Sequence, residues 1–173
     1  RQQGKGTKLN RTVTVAPVRK SINVAAAPDR AFHVFTAGMS RWWLKSHSIN
    51  KKSPIKDIVI EPKAGGRWYE RGEDGSTCDW GRVLSWEPPT RLVLSWEITA
   101  DWKHDPDLKT EVEVRFVAEG KNATRVELEH RRLDLYGARG DEMRGIFDSE
   151  MGWKGLLAAF AASASAEQGG SNP

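Results

Sequence analysis

Three ionisable side chains stand where the surrounding pattern calls for apolar ones. His130 continues the alternating run of Val126 and Leu128, Glu150 falls between Phe147 and Trp153 on a helical stripe, and Glu70 shares the parity of Trp68. A carboxylate beside a sequestered imidazole can poise it as a proton acceptor near neutral pH. His130 with Glu150 would therefore carry acid–base work, or orient a polar group of a ligand. A buried, unpaired carboxylate costs several kcal/mol or takes up a proton. Glu150 must then face a wet cavity, pair with a cation, or lie at the edge of its helix. His130 and Arg82 are its candidate partners.

Around these groups the chain sets an excess of indole. Eight tryptophans occur in 173 residues: Trp42, Trp43, Trp68, Trp80, Trp86, Trp96, Trp102 and Trp153. Trp96 is in phase with Leu92 and Leu94, Trp80 with Leu84 and Trp86, and Trp68 alternates with Arg67 and Arg71. Large rings facing one another across a curved sheet make either a very full core or an aromatic-walled cavity. The expected lining is Trp68, Trp80, Trp96, Phe116, Phe147 and Trp153, with His130, Glu150 and Glu70 as its polar members. No nucleophile elbow, phosphate loop or zinc-protease motif occurs, so neither a catalytic motif nor a cofactor is indicated. Asp101, His104, Asp105 and Asp107 share one loop but lack the spacing of a calcium loop.

The elements that must position these residues follow from periodicity. Strands are predicted over 18–26, 57–62, 67–71, 78–86, 91–98, 110–116 and 124–130. Pro28 opens a short helix carrying Phe32, Phe35 and Met39, and a second short helix holds Trp42 and Trp43. Asp74-Gly75 marks a hairpin turn. In the last two strands Val112, Val114 and Phe116 alternate with Glu111, Glu113 and Arg115, and Val126 and Leu128 alternate with Arg125, Glu127 and Glu129. That period belongs to an antiparallel sheet with one wet face. Asp141 is the expected N-cap of one long amphipathic helix running to about residue 166, through Met143, Ile146, Phe147, Trp153, Leu157, Phe160 and Ala164. Residues 44–56 form a polar loop in which His47 would reach a cavity mouth if the loop acts as a lid.

This order makes an α+β fold: a curved antiparallel sheet of about six or seven strands, wrapped around a long C-terminal helix, with two short helices after the first strand. A strongly bent sheet leaves a hollow that one helix does not fill. The length suits one domain, over 18–166, between a basic arm at 1–17 and a tail at 167–173. Residues 1–20 hold six basic groups and no acid, and the other 153 residues carry a net charge of −2. The basic excess therefore sits in the arm, which argues against a nucleic-acid-binding face on the domain, and no nucleic-acid partner is expected. Cys78 is the only cysteine. It excludes an intrachain disulfide and a cysteine zinc site and makes a reducing cytoplasm the expected compartment. No stretch approaches the ~18 apolar residues of a membrane span.

Several short motifs together resemble a known family. They are Ala27-Pro28 with Phe32, Trp42-Trp43, Gly65-Gly66-Arg67-Trp68, Asp74-Gly75 and Gly81-Arg82-Val83. They continue with Trp86-Glu87-Pro88-Pro89, Arg91-Leu92-Val93, Ser95-Trp96, Thr124, Glu129-His130 and Gly152-Trp153 with Leu156-Leu157. Over residues 18 to 165 the chain resembles the START-like, helix-grip (SRPBCC) superfamily, in the branch related to the activator of the heat-shock protein 90 ATPase. The resemblance implies binding of a hydrophobic small molecule, lipid-like or aromatic, between sheet and C-terminal helix. Its alternatives are a cyclase- or hydrolase-type enzyme using His130 and Glu150, and an interaction module with a chaperone or other protein as partner.

Overall fold

A computed structural model describes residues 14–170. Most of the expected arm, residues 1–13, and the end of the expected tail, 171–173, lie outside the described residues. Seven strands form one antiparallel sheet: β1 (Val18–Val24), β2 (Ile55–Ile60), β3 (Arg67–Gly72), β4 (Thr77–Glu87), β5 (Arg91–Trp96), β6 (Thr110–Ala118) and β7 (Thr124–Arg131). Strands β2 to β7 follow one another as a meander, and β1 adds to the far side of β7, giving the order β1-β7-β6-β5-β4-β3-β2. The helices are α1 (Pro28–Thr36), α2 (Met39–Trp42), α3 (Gly140–Asp148) and α4 (Trp153–Gly170). The sheet curls around the C-terminal helix, so the protein has the α+β helix-grip architecture.

The local signals explain these elements. Pro28 starts α1, where its missing N–H costs nothing. Gly75 takes a φ of +87° in the β3–β4 hairpin, a conformation that strains any residue with a Cβ. In β6 and β7 the apolar residues face the core, and Glu113 on the outer face binds Arg91 and Arg131 at 2.6 Å each. Just before β1, Arg144 of α3 donates to the carbonyls of Ala16 at 2.9 Å and Pro17 at 3.1 Å.

Three expectations need correction. Leu84 does not share the inward face of Trp80 but is 44% exposed, and Val83 is buried instead. The register of β4 slips against β5 between Val83 and Ser85, and that of β3 slips against β4 between Trp68 and Tyr69. Each bulge inserts one residue and reverses the parity beyond it. The C-terminal stripe is divided between α3 and α4 by a turn over 149–152. Finally, Asp141 is not the N-cap: Arg139 holds that position without a side-chain capping bond, and Asp141 lies in the first turn.

Candidate functional site

Between the sheet and the two C-terminal helices lies a cavity of about 310 Å³. Its inner wall is Trp43 after α2, Trp96 at the end of β5, His130 of β7, Phe147 of α3, and Trp153 and Leu156 of α4. Ile146, Ser46, His47, Ser48, Ile49, Lys51, Trp102, Met151 and Gly152 form the remainder. The inner wall is thus mostly aromatic, while the 46–51 loop brings hydroxyl, imidazole and ammonium groups.

His130 is fully buried, and its hydrogen bonds define its tautomer. The Trp153 indole N–H can only donate, and it donates to His130 Nδ1 at 3.1 Å. The ring proton therefore sits on Nε2, which donates to Thr110 Oγ1 at 2.9 Å. The Thr110 hydroxyl in turn donates to the Trp96 carbonyl at 2.8 Å. Burial pushes the imidazole pKa down to about 3, so His130 is neutral at physiological pH. Phe147 covers it at a ring separation of 4.4 Å. With both nitrogens engaged, His130 acts as a strut joining α4 to β6.

Glu150 is not its partner. The Glu150 side chain is 74% exposed and pairs with Lys154 at 3.0 Å. The cause is the turn between α3 and α4. Ser149 Oγ donates to the Ile146 carbonyl at 2.7 Å, and the Gly152 N–H donates to the Ser149 carbonyl at 2.9 Å. A Cβ on Gly152 would strike the carbonyls of Ile146 and Phe147. This turn takes Glu150 off the apolar stripe that a continuous helix would give it. Arg82 is exposed and reaches the Gly65 carbonyl at 3.4 Å, so it does not join the cluster either.

Glu70 is fully buried but lies behind the cavity wall. Its Oε1 accepts from Ile49 N at 2.7 Å, Trp80 Nε1 at 2.9 Å and Asn50 N at 3.2 Å. Its Oε2 accepts from Ser48 Oγ at 2.7 Å. Four donors offset the desolvation of the carboxylate and fasten residues 48–50 over the indoles. The residue just before this segment is fastened as well: His47 Nε2 donates to the Met151 carbonyl at 2.7 Å. A carbonyl only accepts, so this nitrogen carries the proton.

The expected site residues thus divide. Trp96, His130, Phe147 and Trp153 share the cavity. Trp68 and Trp80 are fully buried behind it, with ring centroids 5.4 and 5.8 Å from Trp96. Phe116 packs at the opposite end of the core, 5.1 Å from Phe32 and 5.9 Å from Phe35. Trp43, Trp102 and Met151 were not among the expected lining. Trp102 is 40% exposed and holds a φ of +62°, unusual for a residue this large. Thr99 fixes that turn: its carbonyl accepts from Trp102 N at 2.9 Å, and its Oγ1 accepts from Asp101 N and Lys103 N at 3.2 Å. In the same loop His104 is taken up by Glu97 at 2.9 Å.

Residues 25–164 match the family described as activator of Hsp90 ATPase homolog 1-like protein. The chain belongs to this family. No curated protein matches it. Among solved structures, an anthrahydroquino-gamma-pyrone synthase, Txn09, is 39% identical over 86% of this chain and 97% of its own, with a TM-score of 0.61. CalC from Micromonospora echinospora, a self-sacrificing resistance protein, is 31% identical over 88% of this chain and 96% of its own, with a TM-score of 0.66. The Aha1 dimer from Colwellia psychrerythraea shares the fold at 16% identity, covering 87% of this chain and 97% of its own, with a TM-score of 0.58. No described helix is long and apolar enough to cross a membrane.

Proposed function

We propose that the protein binds a planar aromatic small molecule in the cavity between β5, β7 and the C-terminal helices. The observation that carries this reading is the wall itself. A volume of about 310 Å³ bounded by Trp43, Trp96, Phe147 and Trp153 falls at the lower end of the range for small-molecule sites. A wall made mostly of aromatic rings favours an aromatic guest. The 39% identity to a synthase named for a fused, oxygenated aromatic skeleton supports the same class of ligand. Acid–base turnover by His130 and Glu150 is not part of the reading, because the first is saturated and the second is outside. The lone Cys78 supports a reducing, cytoplasmic setting.

Isothermal titration with anthraquinone-2-sulfonate, alongside native mass spectrometry of the purified protein, tests this. The expected result is saturable binding of one molecule, lost in Ile146→Trp, which fills the cavity from its half-exposed rim. Absence of binding by a folded wild type would overturn it. The family match supports a second reading, a chaperone partner. It predicts stimulation of a chaperone ATPase that Ile146→Trp leaves intact.

A further inference from the structure

Trp102 differs from the other large rings of the cavity wall. Trp43, Trp96, Phe147 and Trp153 are buried and packed against further aromatic rings. Trp102 meets no other aromatic ring among the described residues and is the one exposed indole of the eight. Its backbone is left-handed, a conformation that crowds the Cβ of any residue except glycine. Neither burial nor a ring contact offsets that strain. The surrounding loop nevertheless enforces it. Besides the bonds that Thr99 accepts, the Thr99 N–H donates to the Lys103 carbonyl at 2.8 Å, and the Tyr136 hydroxyl donates to the Ile98 carbonyl at 2.6 Å. Arg139 binds Asp101 at 2.8 Å, and the Asp105 N–H donates to the Glu97 carbonyl at 2.9 Å. Backbone strain persists only where its surroundings enforce it, and such places cluster at ligand clamps.

The strained indole stands where a clamp would be needed. Trp102 lines the cavity at its solvent side, with Met151, 67% exposed, on the same rim. We propose that Trp102 is the clamp of this site: its uncommitted indole face stacks on the outer edge of a bound aromatic ligand, and the turn carries its strain in order to present that face. The buried rings of the wall are engaged with one another, so Trp102 supplies the open ring surface. It thereby favours a ligand with an aromatic ring over an aliphatic ligand of the same charge, because stacking adds to the apolar area that either would bury. This deepens the binding reading above and rests on it.

Two probes and three variants test the clamp. Anthraquinone-2-sulfonate and decane-1-sulfonate carry the same charge, and only the first has rings. In titration calorimetry Trp102→Gly is expected to weaken the first about tenfold and the second about threefold or less, whereas Trp102→Phe keeps most of the affinity for the first. Glycine relieves the left-handed strain, so Trp102→Gly should melt about 3 °C above Trp102→Ala. If a variant fails to fold, indole ¹H–¹⁵N spectra of the wild type decide the matter. The Trp102 signal should move upfield under the ring current of the aromatic probe and stay in place with the aliphatic one. Unchanged anthraquinone-2-sulfonate affinity in Trp102→Gly, equal losses for the two probes, or an unmoved Trp102 signal would overturn the proposal and leave the pocket standing. A glycine variant that melts no higher than the alanine variant would overturn the assignment of strain to the turn. Binding of neither probe by the folded wild type would overturn the pocket reading, and the clamp with it.

Discussion

At one end of the concave face Phe32, Phe35, Phe116 and Phe160 meet Trp42, with ring contacts between 5.1 and 5.9 Å. At the other end Trp43, Trp68, Trp80, Trp96 and Trp153 meet at similar distances, between 5.0 and 6.3 Å. The packing is alike and the consequences differ. Phenylalanine carries no polar atom, and the one indole at its end, Trp42, donates to the Val34 carbonyl, so that end packs against regular elements, α1, α4 and β6, without an unmet donor. Indole carries a donor at every ring, and its end is closed by the 44–54 loop and the α3–α4 turn. The covering at that end is held by a few named polar bonds, those of Glu70 and His47.

The sharpest way to test that division is to truncate a ring at the closed end. Phe160 is fully buried between Phe35 and Trp42. Phe160→Ala is expected to cost about 3–5 kcal/mol in urea unfolding, because the surrounding rings cannot collapse onto the void. Trp96→Phe, on the cavity wall, should cost well under half of that. Equal losses would mean that the cavity end is packed as tightly as the other.

Glu70 comes next. Glu70→Gln removes the charge and leaves an amide that cannot accept from all four donors. The expected loss is about 2–3 kcal/mol, with amide exchange accelerated at residues 48–50 and not in α1. An unchanged exchange pattern would show that something other than Glu70 holds the loop.

Burial holds the His130 pKa at about 3, below the ordinary value of 6.5. The unfolded chain therefore binds a proton that the folded chain does not, and stability falls as pH drops from 6.5 towards 3. At about 1.4 kcal/mol per unit, the fall between pH 6.5 and 5 is roughly 2 kcal/mol, above the range where most carboxylates titrate. His130→Gln should flatten that slope even if it lowers stability throughout. An unchanged slope would assign it to other groups.

How much of this was legible in the chain depends on whether a residue stands in a periodic element. The alternation of Val112, Val114 and Phe116 with charged neighbours specified β6, and that of Val126, Leu128 and His130 specified β7. The inward place of His130 followed directly. Leu84 was misplaced because a bulge adds a residue without altering composition, so parity alone cannot register it. His47 was legible only as a conditional contact, and Trp102 and Met151 not at all, since loop and turn residues have no period to read. For Trp102 the spacing to Thr99 was the only hint, and its meaning depends on a left-handed backbone.

The smallest effect belongs to Glu150, and its smallness is informative. On an unbroken helix its carboxylate would point at the indoles, and replacing it would remove either a buried charge or a partner of His130. Either change would shift stability by several kcal/mol. In the folded chain Ser149 and Gly152 end one helix and begin the next, so Glu150 meets only solvent and Lys154. An exposed pair of this spacing contributes about 0.3–0.5 kcal/mol. Glu150→Gln should therefore change stability within that range and leave the affinity for anthraquinone-2-sulfonate untouched. A loss of affinity beyond twofold would return Glu150 to the cavity, and with it the acid–base pair that the turn at 149–152 takes apart.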